Sequence, residues 1–385
     1  MNKTTSTILT ASLAIFSMFF GAGNLIYPLA SGCASGDKFW WGLTGFIGTA
    51  VVLPLIGLVS IILFNGDYEA FFNRVGRWAG FLMILFCMFV VGPLVAMPRI
   101  VTLTYGFLTP FIPAIPLPLF SVLFCTLTFL AIYQESKIMN VLAYIISPAL
   151  LGSLGIIIIK GLLSPIDFIT TDASGLTILL QETKRGYGTL DLLGAIFFGS
   201  IALTLLKKSF DGDNKYDLKR LALIAIKSGL IACSMIGILY VGIAFLGAYH
   251  GYKFTGLDEA LLFINVCITV MGAHGGFIIA TAASLACYST LMALAVVLAE
   301  FIQTKVTDGR LSYTYSLITV LFLTTIISCY GLKTIMTASM PLINTLYPVA
   351  IAITFCNLAY KLFGFSPIKI PVLLTLIASI YFNLL

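Results

Sequence analysis

Apolar runs of about twenty residues recur along the whole sequence, separated by short polar stretches, and this pattern decides what the chain can fold into. The runs fall near 8–30, 40–64, 79–108, 117–133, 138–163, 190–206, 221–248, 277–302, 311–331, 339–360 and 369–385. Each is long enough to cross a bilayer as a helix, so about eleven spans are predicted. Charged residues make up 9% of 385 positions and hydrophobic residues 60%, whereas soluble domains carry roughly 25% charge. A surface so poor in charge cannot face water, and lipid has to be its solvent. The longest polar segments, 164–189 and 207–220, leave no room for a soluble domain. A further segment, 258–275, is apolar but short. It opens with Asp258-Glu259 and holds His274-Gly275-Gly276, so it is read as a re-entrant or surface helical loop in preference to a twelfth span.

The positions of the basic residues orient the chain. With a cytoplasmic N-terminus, fourteen of the 21 Lys and Arg fall on the cytoplasmic side, six fall outside, and Arg99 lies within a span. The positive-inside rule therefore predicts an N-terminus in the cytoplasm. The charged run Lys207-Lys208-Ser209-Phe210-Asp211-Gly212-Asp213-Asn214-Lys215 is read as a cytoplasmic topology anchor. Ala30-Ser31-Gly32-Cys33 resembles a lipoprotein cleavage site, but the apolar run before it is too long for a signal peptide and ten more spans follow, so no cleavage is expected. Of the eight cysteines, Cys87, Cys125, Cys233, Cys267, Cys287, Cys329 and Cys356 lie inside apolar runs without CxxC or Cys/His ligand spacing, as small buried hydrophobes do.

The residue inventory argues against catalysis. The histidines, His250 and His274, are expected near the outer surface, and HExxH is missing. Nearly all acids sit in loops; Asp191, which opens the sixth span, and Glu300, which closes the eighth, are expected at the interface. A nucleophile–base pair, a metal cluster or paired acids would be needed for an enzyme. A channel would be expected to carry repeated pore loops or charged rings, which are not seen either. No nucleic-acid partner is expected; the surroundings are membrane lipid.

Backbone breaks remain as the candidate site. The first span reads Phe19-Phe20-Gly21-Ala22-Gly23-Asn24-Leu25-Ile26-Tyr27-Pro28. Glycine lifts the Cβ restriction on non-helical dihedrals, Pro28 removes an amide donor, and the Asn24 side chain competes for backbone groups. Unwound backbone inside a bilayer has to be covered by protein or line a cavity, where its free carbonyls and amides suit a cation and a carboxylate. Close helix packing through small residues is the competing reading. The sixth span holds Gly194-Ala195-Ile196-Phe197-Phe198-Gly199-Ser200, and a second interruption is placed there. Interrupted segments in corresponding halves point to a transporter site, and a separation of five spans fits a five-plus-five inverted repeat. In the eighth span Ala286, Ser289 and Thr290 stand at i, i+3 and i+4 on one helix face, where two hydroxyls and a carbonyl suit a hard monovalent cation, or where the hydroxyls simply bond back to the preceding turn. The third span carries Gly92-Pro93 and Met97-Pro98-Arg99, with kinks expected at the prolines. Arg99 lies about 30 Å along that span at 1.5 Å per residue, so it either faces a substrate path or snorkels to the outer interface.

These motifs taken together, Gly21-Ala22-Gly23-Asn24-Leu25-Ile26 with Pro28, Gly92-Pro93 before Pro98-Arg99, and Leu285-Ala286-Cys287 with Ser289-Thr290, resemble the BrnQ branched-chain amino acid:cation symporters, whose larger superfamily has the LeuT-type fold. The resemblance runs along nearly the whole chain and is specific in combination. It implies an all-α polytopic protein with broken helices 1 and 6, built as one domain over 1–385 with repeats at about 8–163 and 190–360 and an extra helix at about 369–385. It implies a symporter of the bacterial cytoplasmic (inner) membrane that imports leucine, isoleucine and valine, with no cofactor beyond Na+ as coupling ion. A carrier for another small neutral amino acid or solute, driven by protons, is the alternative. Carried over, the sodium ligands are the carbonyls of Ser17, Phe20 and Ala286 and the hydroxyls of Ser289 and Thr290. The substrate would meet Gly21, Ala22, Gly23 and Asn24 and, across from them, Phe197, Phe198, Gly199 and Ser200, with Arg99 on its path. Tyr288 stands where the family suggests a smaller aliphatic residue, and a ring there is expected to narrow the pocket. Family members run to about twelve spans, one more than predicted here.

Overall fold

The structure is a computed structural model that describes residues 3–21, 23–133, 147–164, 170–210, 218–254 and 256–384. Its elements among these residues are helical. Six helices are long and apolar enough to cross a membrane, namely Gly23–Leu63, Arg77–Leu108, Gly175–Leu203, Arg220–Phe254, Glu259–Val306 and Leu332–Phe363, and five shorter apolar helices accompany them. Several of these units are broken.

The predicted first span is two helices, α1 (Lys3–Phe19) and α2 (Gly23–Ser35). The break falls where glycine and asparagine foretell it, whereas Pro28 is accommodated inside α2. The second span is α3 (Phe39–Ile47) and α4 (Leu53–Leu63), joined by a wider turn at Gly48–Val52. A short helix, α5 (Tyr68–Asn73), leads to the third span. That span is also two helices, α6 (Arg77–Val91) and α7 (Ala96–Leu108), and Pro93 lies in the gap between them while Pro98 sits in the first turn of α7. Proline is tolerated there because the first-turn amides lack helical partners anyway. Next come α8 (Leu117–Tyr133) and α9 (Ser147–Leu162); the part of the fifth predicted span before α9 lies outside the described residues.

The sixth unit departs from expectation. Residues 175–187, read as part of a polar segment, form helix α10 (Gly175–Tyr187), with the Ser174 side chain accepting a hydrogen bond from the Thr177 amide. α10 packs on α3, burying Glu182, which pairs with Arg185 at 2.8 Å. Gly188–Leu190 interrupts the chain, and α11 (Asp191–Phe210) follows without a break through Gly194–Ser200. Helix 6 is therefore broken, but ahead of Asp191 and not at the glycines of 194–200. The charged run of 207–215 begins inside α11; its residues 211–215 lie outside the described set.

The chain continues with α12 (Leu218–His250) and α13 (Glu259–Phe301), which turns at Gly272, where φ is 78°. The arm before Gly272 is the predicted helical loop, yet it is no surface element: Leu262, Phe263, Ile264, Val266 and Cys267 are buried, with the Phe263 ring 5.4 Å from Phe107 of α7. α14 (Tyr313–Ser328), α15 (Leu332–Phe363) and α16 (Lys369–Leu384) complete the chain. Grouped across the breaks, the described helices make about eleven crossing units.

Lipid offers helices no hydrophobic drive to associate, so close packing between small residues has to hold them. The contact of α2 with α12 shows this. A Cβ on Gly32 would lie 1.8 Å from the Ala244 carbonyl oxygen, and one on Gly247 would lie 2.0 Å from the Leu29 carbonyl oxygen. The seam fixes α2 against α12 and sets Tyr240 of α12 beside Asn24, next to the break.

Candidate functional site

Three breaks meet around one small cavity. Gly21, Gly23 and Asn24 come from the first, Val91 and Ala96 from the edges of the gap in the third span, and Thr189, Leu190 and Asp191 from the sixth. Helix ends explain why such a place suits polar ligands. The last carbonyls of one helix and the first amides of the next have no intrahelical partners, and the end dipoles favour opposite charges.

Asn24 is the hub. Its side-chain oxygen accepts the Gly21 amide at 3.1 Å, closing the gap between α1 and α2. Its nitrogen donates to both oxygens of the Asp191 carboxylate, at 3.2 and 3.1 Å, and to the Tyr240 hydroxyl. Tyr240 in turn donates to Asp191 at 2.8 Å. The two broken helices and α12 are thereby tied through one carboxylate. Asp191 is 8% exposed, so its expected interfacial position is overturned; it heads α11 at the heart of the bundle, where an N-terminal amide end favours a negative charge. Glu300, its counterpart in that expectation, is exposed.

Arg99 does not snorkel. It is 4% exposed and donates from Nη1 to the Tyr27 hydroxyl at 3.0 Å and to the Gly188 carbonyl at 2.6 Å. It thus bridges α7 to α2 and caps the carbonyl end of α10. Gly23 makes room for it, since a Cβ there would stand 3.0 Å from Nη2. The break below α10 is strained: Leu190 has φ of 62°, which a non-glycine residue adopts rarely, and it persists because its neighbours are pinned. Thr189 donates to Gly186, and the Leu192 amide donates to the Tyr347 hydroxyl at 3.1 Å.

The expected site residues divide. Gly21, Gly23, Asn24, Arg99, Phe198 and Thr290 line the cavity together. Ala22 lies outside the described residues. Phe197 turns away, packing edge-on to Tyr68 at 5.4 Å and near Phe72 of α5. Gly199 packs on Leu58 and Ile61 of α4, and Ser200 donates to the Gly66 carbonyl. Those two residues serve helix packing, which is why α11 runs through them. Of the expected cation ligands, Ser289 and Thr290 both donate to the Ala286 carbonyl, at 2.9 and 3.0 Å, and their oxygens keep acceptor capacity. Thr290 also abuts the first break: a Cβ on Gly21 would be 4.0 Å from its Oγ1. Ser17 and Phe20 sit at the end of α1, with Phe20 stacked on Phe16 at 5.1 Å. Tyr288 does not narrow the cavity; its ring meets Phe124 of α8 edge-on at 5.3 Å. His250, expected at the outer surface, is buried against the Gly161 carbonyl at 3.2 Å.

Sequence reasoning passed over Tyr27, Gly188 and Tyr240 and misplaced Asp191. An acid opening an apolar run is a faint signal, and its buried partners come from far along the chain.

The architecture matches solved carriers. The inward-facing conformation of Mhp1 superimposes with a TM-score of 0.67 over 98% of this chain and 89% of that one, at 11% identity. A manganese transporter of Eremococcus coleocola gives 0.63 over 100% and 87%, at 14% identity. The fold is thus that of the LeuT-type secondary carriers, with two five-helix repeats and broken helices 1 and 6. The model described as branched-chain amino acid transport protein matches residues 4–384, and the chain belongs to that family. Branched-chain amino acid permease BraB of Bacillus subtilis is 28% identical over 357 residues, 91% of this chain and 79% of that protein. BrnQ of the same organism is 27% identical over 368 residues, 93% of this chain and 82% of that protein. The chain is a membrane transporter and not an enzyme.

Proposed function

We propose that this chain is a sodium-coupled symporter of the bacterial cytoplasmic membrane, N-terminus inside, which imports leucine, isoleucine and valine by rocking of its helical bundle around the mid-membrane cavity. The observation that carries this reading is the meeting of the helix-1 and helix-6 breaks at one small cavity with apolar walls, Phe19, Phe198 and Leu294 among them. An aliphatic side chain suits those walls. Thr290, facing the first break across Gly21, supports a cation position between α1 and α13, with Ser289 and the carbonyls of Ser17, Phe20 and Ala286 as the other ligands. One sodium ion moving down 100 mV gains about 2.3 kcal/mol, enough for roughly fifty-fold accumulation of a net-neutral substrate at 1.36 kcal/mol per tenfold.

The test is leucine uptake into proteoliposomes with imposed sodium or proton gradients, competed by a panel of amino acids. Sodium-driven uptake competed by isoleucine and valine is expected. Uptake that ignores sodium removes the coupling, and competition by other solutes alone removes the cargo. A second reading, proton coupling, is favoured by one feature: Asp191 is a buried carboxylate at the cavity wall, a place where proton-coupled carriers keep such groups. Uptake driven by a proton gradient without sodium would select it.

A further inference from the structure

The cavity wall holds two charged side chains, Arg99 and Asp191, and they are not used on each other. Among the described residues the ion pairs within 4.0 Å are Lys38–Asp37, Arg185–Glu182 and Lys305–Glu69. Arg99 and Asp191 are instead held by neutral groups, Arg99 by Tyr27 and Gly188, Asp191 by Asn24 and Tyr240. Both are more than nine-tenths buried. Two opposite charges kept apart in a low-dielectric site are costly unless something completes them. Each also has capacity left. The Arg99 Nε has no hydrogen-bond partner although it is buried, and the guanidinium edge of Nε and Nη2 is the edge that takes a carboxylate on two prongs. A carboxylate has about four acceptor positions, and Asp191 receives Asn24 on both oxygens and Tyr240 on one.

We propose that Arg99 and Asp191 form a two-charge clamp, Arg99 taking the α-carboxylate and Asp191 the α-ammonium of a free amino acid, so that the site selects zwitterions before the apolar walls select among side chains. This rests on the reading of the cavity as the amino acid site. A ligand lacking either charge leaves one buried group facing an end that cannot answer it. Sites built to bond a polar group reject analogues lacking it far more strongly than apolar pockets reject a missing methylene. The clamp thus assigns Asp191 to specificity.

The experiment uses the purified full chain in lipid nanodiscs and competition against labelled leucine by leucinamide, which lacks the carboxylate, and by 4-methylpentanoate, which lacks the ammonium. In the unaltered protein both analogues bind at least a hundredfold weaker than leucine. Asp191→Asn weakens leucine at least tenfold and 4-methylpentanoate little, so their ratio falls at least tenfold. Arg99→Gln does the same to the ratio of leucine to leucinamide. Analogues that compete as well as leucine, or ratios unmoved in both variants, overturn the clamp. Because a variant can fail to fold, the analogue series on the unaltered protein decides on its own, and Asp191→Glu, which keeps the carboxylate, should retain the discrimination. Leucine binding with unmoved ratios removes the clamp and leaves the branched-chain reading. Binding of a different neutral amino acid, with its own amide and deaminated acid discriminated and the ratios shifted by the variants, removes the branched-chain reading and leaves the clamp.

Discussion

Truncating Asn24 to alanine isolates the group that ties the two broken helices together. The side chain gives Asp191 a charge-assisted hydrogen bond at 3.1–3.2 Å and takes the Gly21 amide at 3.1 Å. A hydrogen bond to a charged group is worth about 1.5–3 kcal/mol. Loss of a side-chain cap on a helix-end amide adds about 1 kcal/mol. Asn24→Ala should therefore cost about 2.5–4 kcal/mol. In an Asp191→Asn background the same truncation removes only a neutral bond, worth about 0.5–1.5 kcal/mol, plus the cap. The two changes should thus be non-additive by about 1–1.5 kcal/mol. The assay is reversible unfolding in mixed micelles for the protein unaltered, with each single change, and with both. Additivity within about 0.5 kcal/mol is what independent sites give, and it would refute the reasoning.

Ser289→Ala with Thr290→Ala should raise the sodium concentration for half-maximal uptake at least tenfold, about 1.4 kcal/mol, read from sodium titrations in proteoliposomes; an unchanged value would mean the hydroxyls only bond back to Ala286. Tyr288→Leu removes an edge-on contact with Phe124 away from the cavity, so thermal stability should fall by about 1 kcal/mol while the relative uptake of leucine, isoleucine and valine stays fixed. Gly32→Leu has no room beside the Ala244 carbonyl and should abolish folded protein on size-exclusion chromatography, whereas Gly152→Ala, with open space around it, should not.

The first break was legible because its cause is local: Gly21, Gly23 and Asn24 stand together in one turn. The second was not legible at its true place. The glycine and hydroxyl signal at Gly194–Ser200 is real, but it serves the seam with α4 and the Gly66 carbonyl, and a helix-packing glycine looks the same in sequence as a helix-breaking one. The actual turn rests on Leu190, a residue with no preference for positive φ, held there by Thr189 and by Tyr347 from far along the chain. Helix α10 could have been read from its Ser174 cap and its closing Lys184 and Arg185, had the polar composition of its outer face not masked them. The position of Arg99 was beyond reach for a different reason: snorkelling and burial give the same sequence, and only the carbonyl of Gly188 and the hydroxyl of Tyr27 distinguish them.

The two charged groups also explain why three breaks converge where two would make a cavity. The gap before α7 lets the helix restart at Ala96 and puts Arg99 in its first turn, level with the carbonyl end of α10. That carbonyl end is the right partner for a cation, as the amide end of α11 is for Asp191. The two halves of helix 6 thus stabilise one charge each, on either side of the same break, and the two charged groups do not pair within 4.0 Å. A polar ligand that enters meets Arg99 and Asp191 on the capacity that Tyr27, Gly188, Asn24 and Tyr240 leave free. The contacts with those four residues hold α2, α10, α11 and α12 together, so occupancy of the cavity and the packing of the broken helices are bound to the same two charged groups.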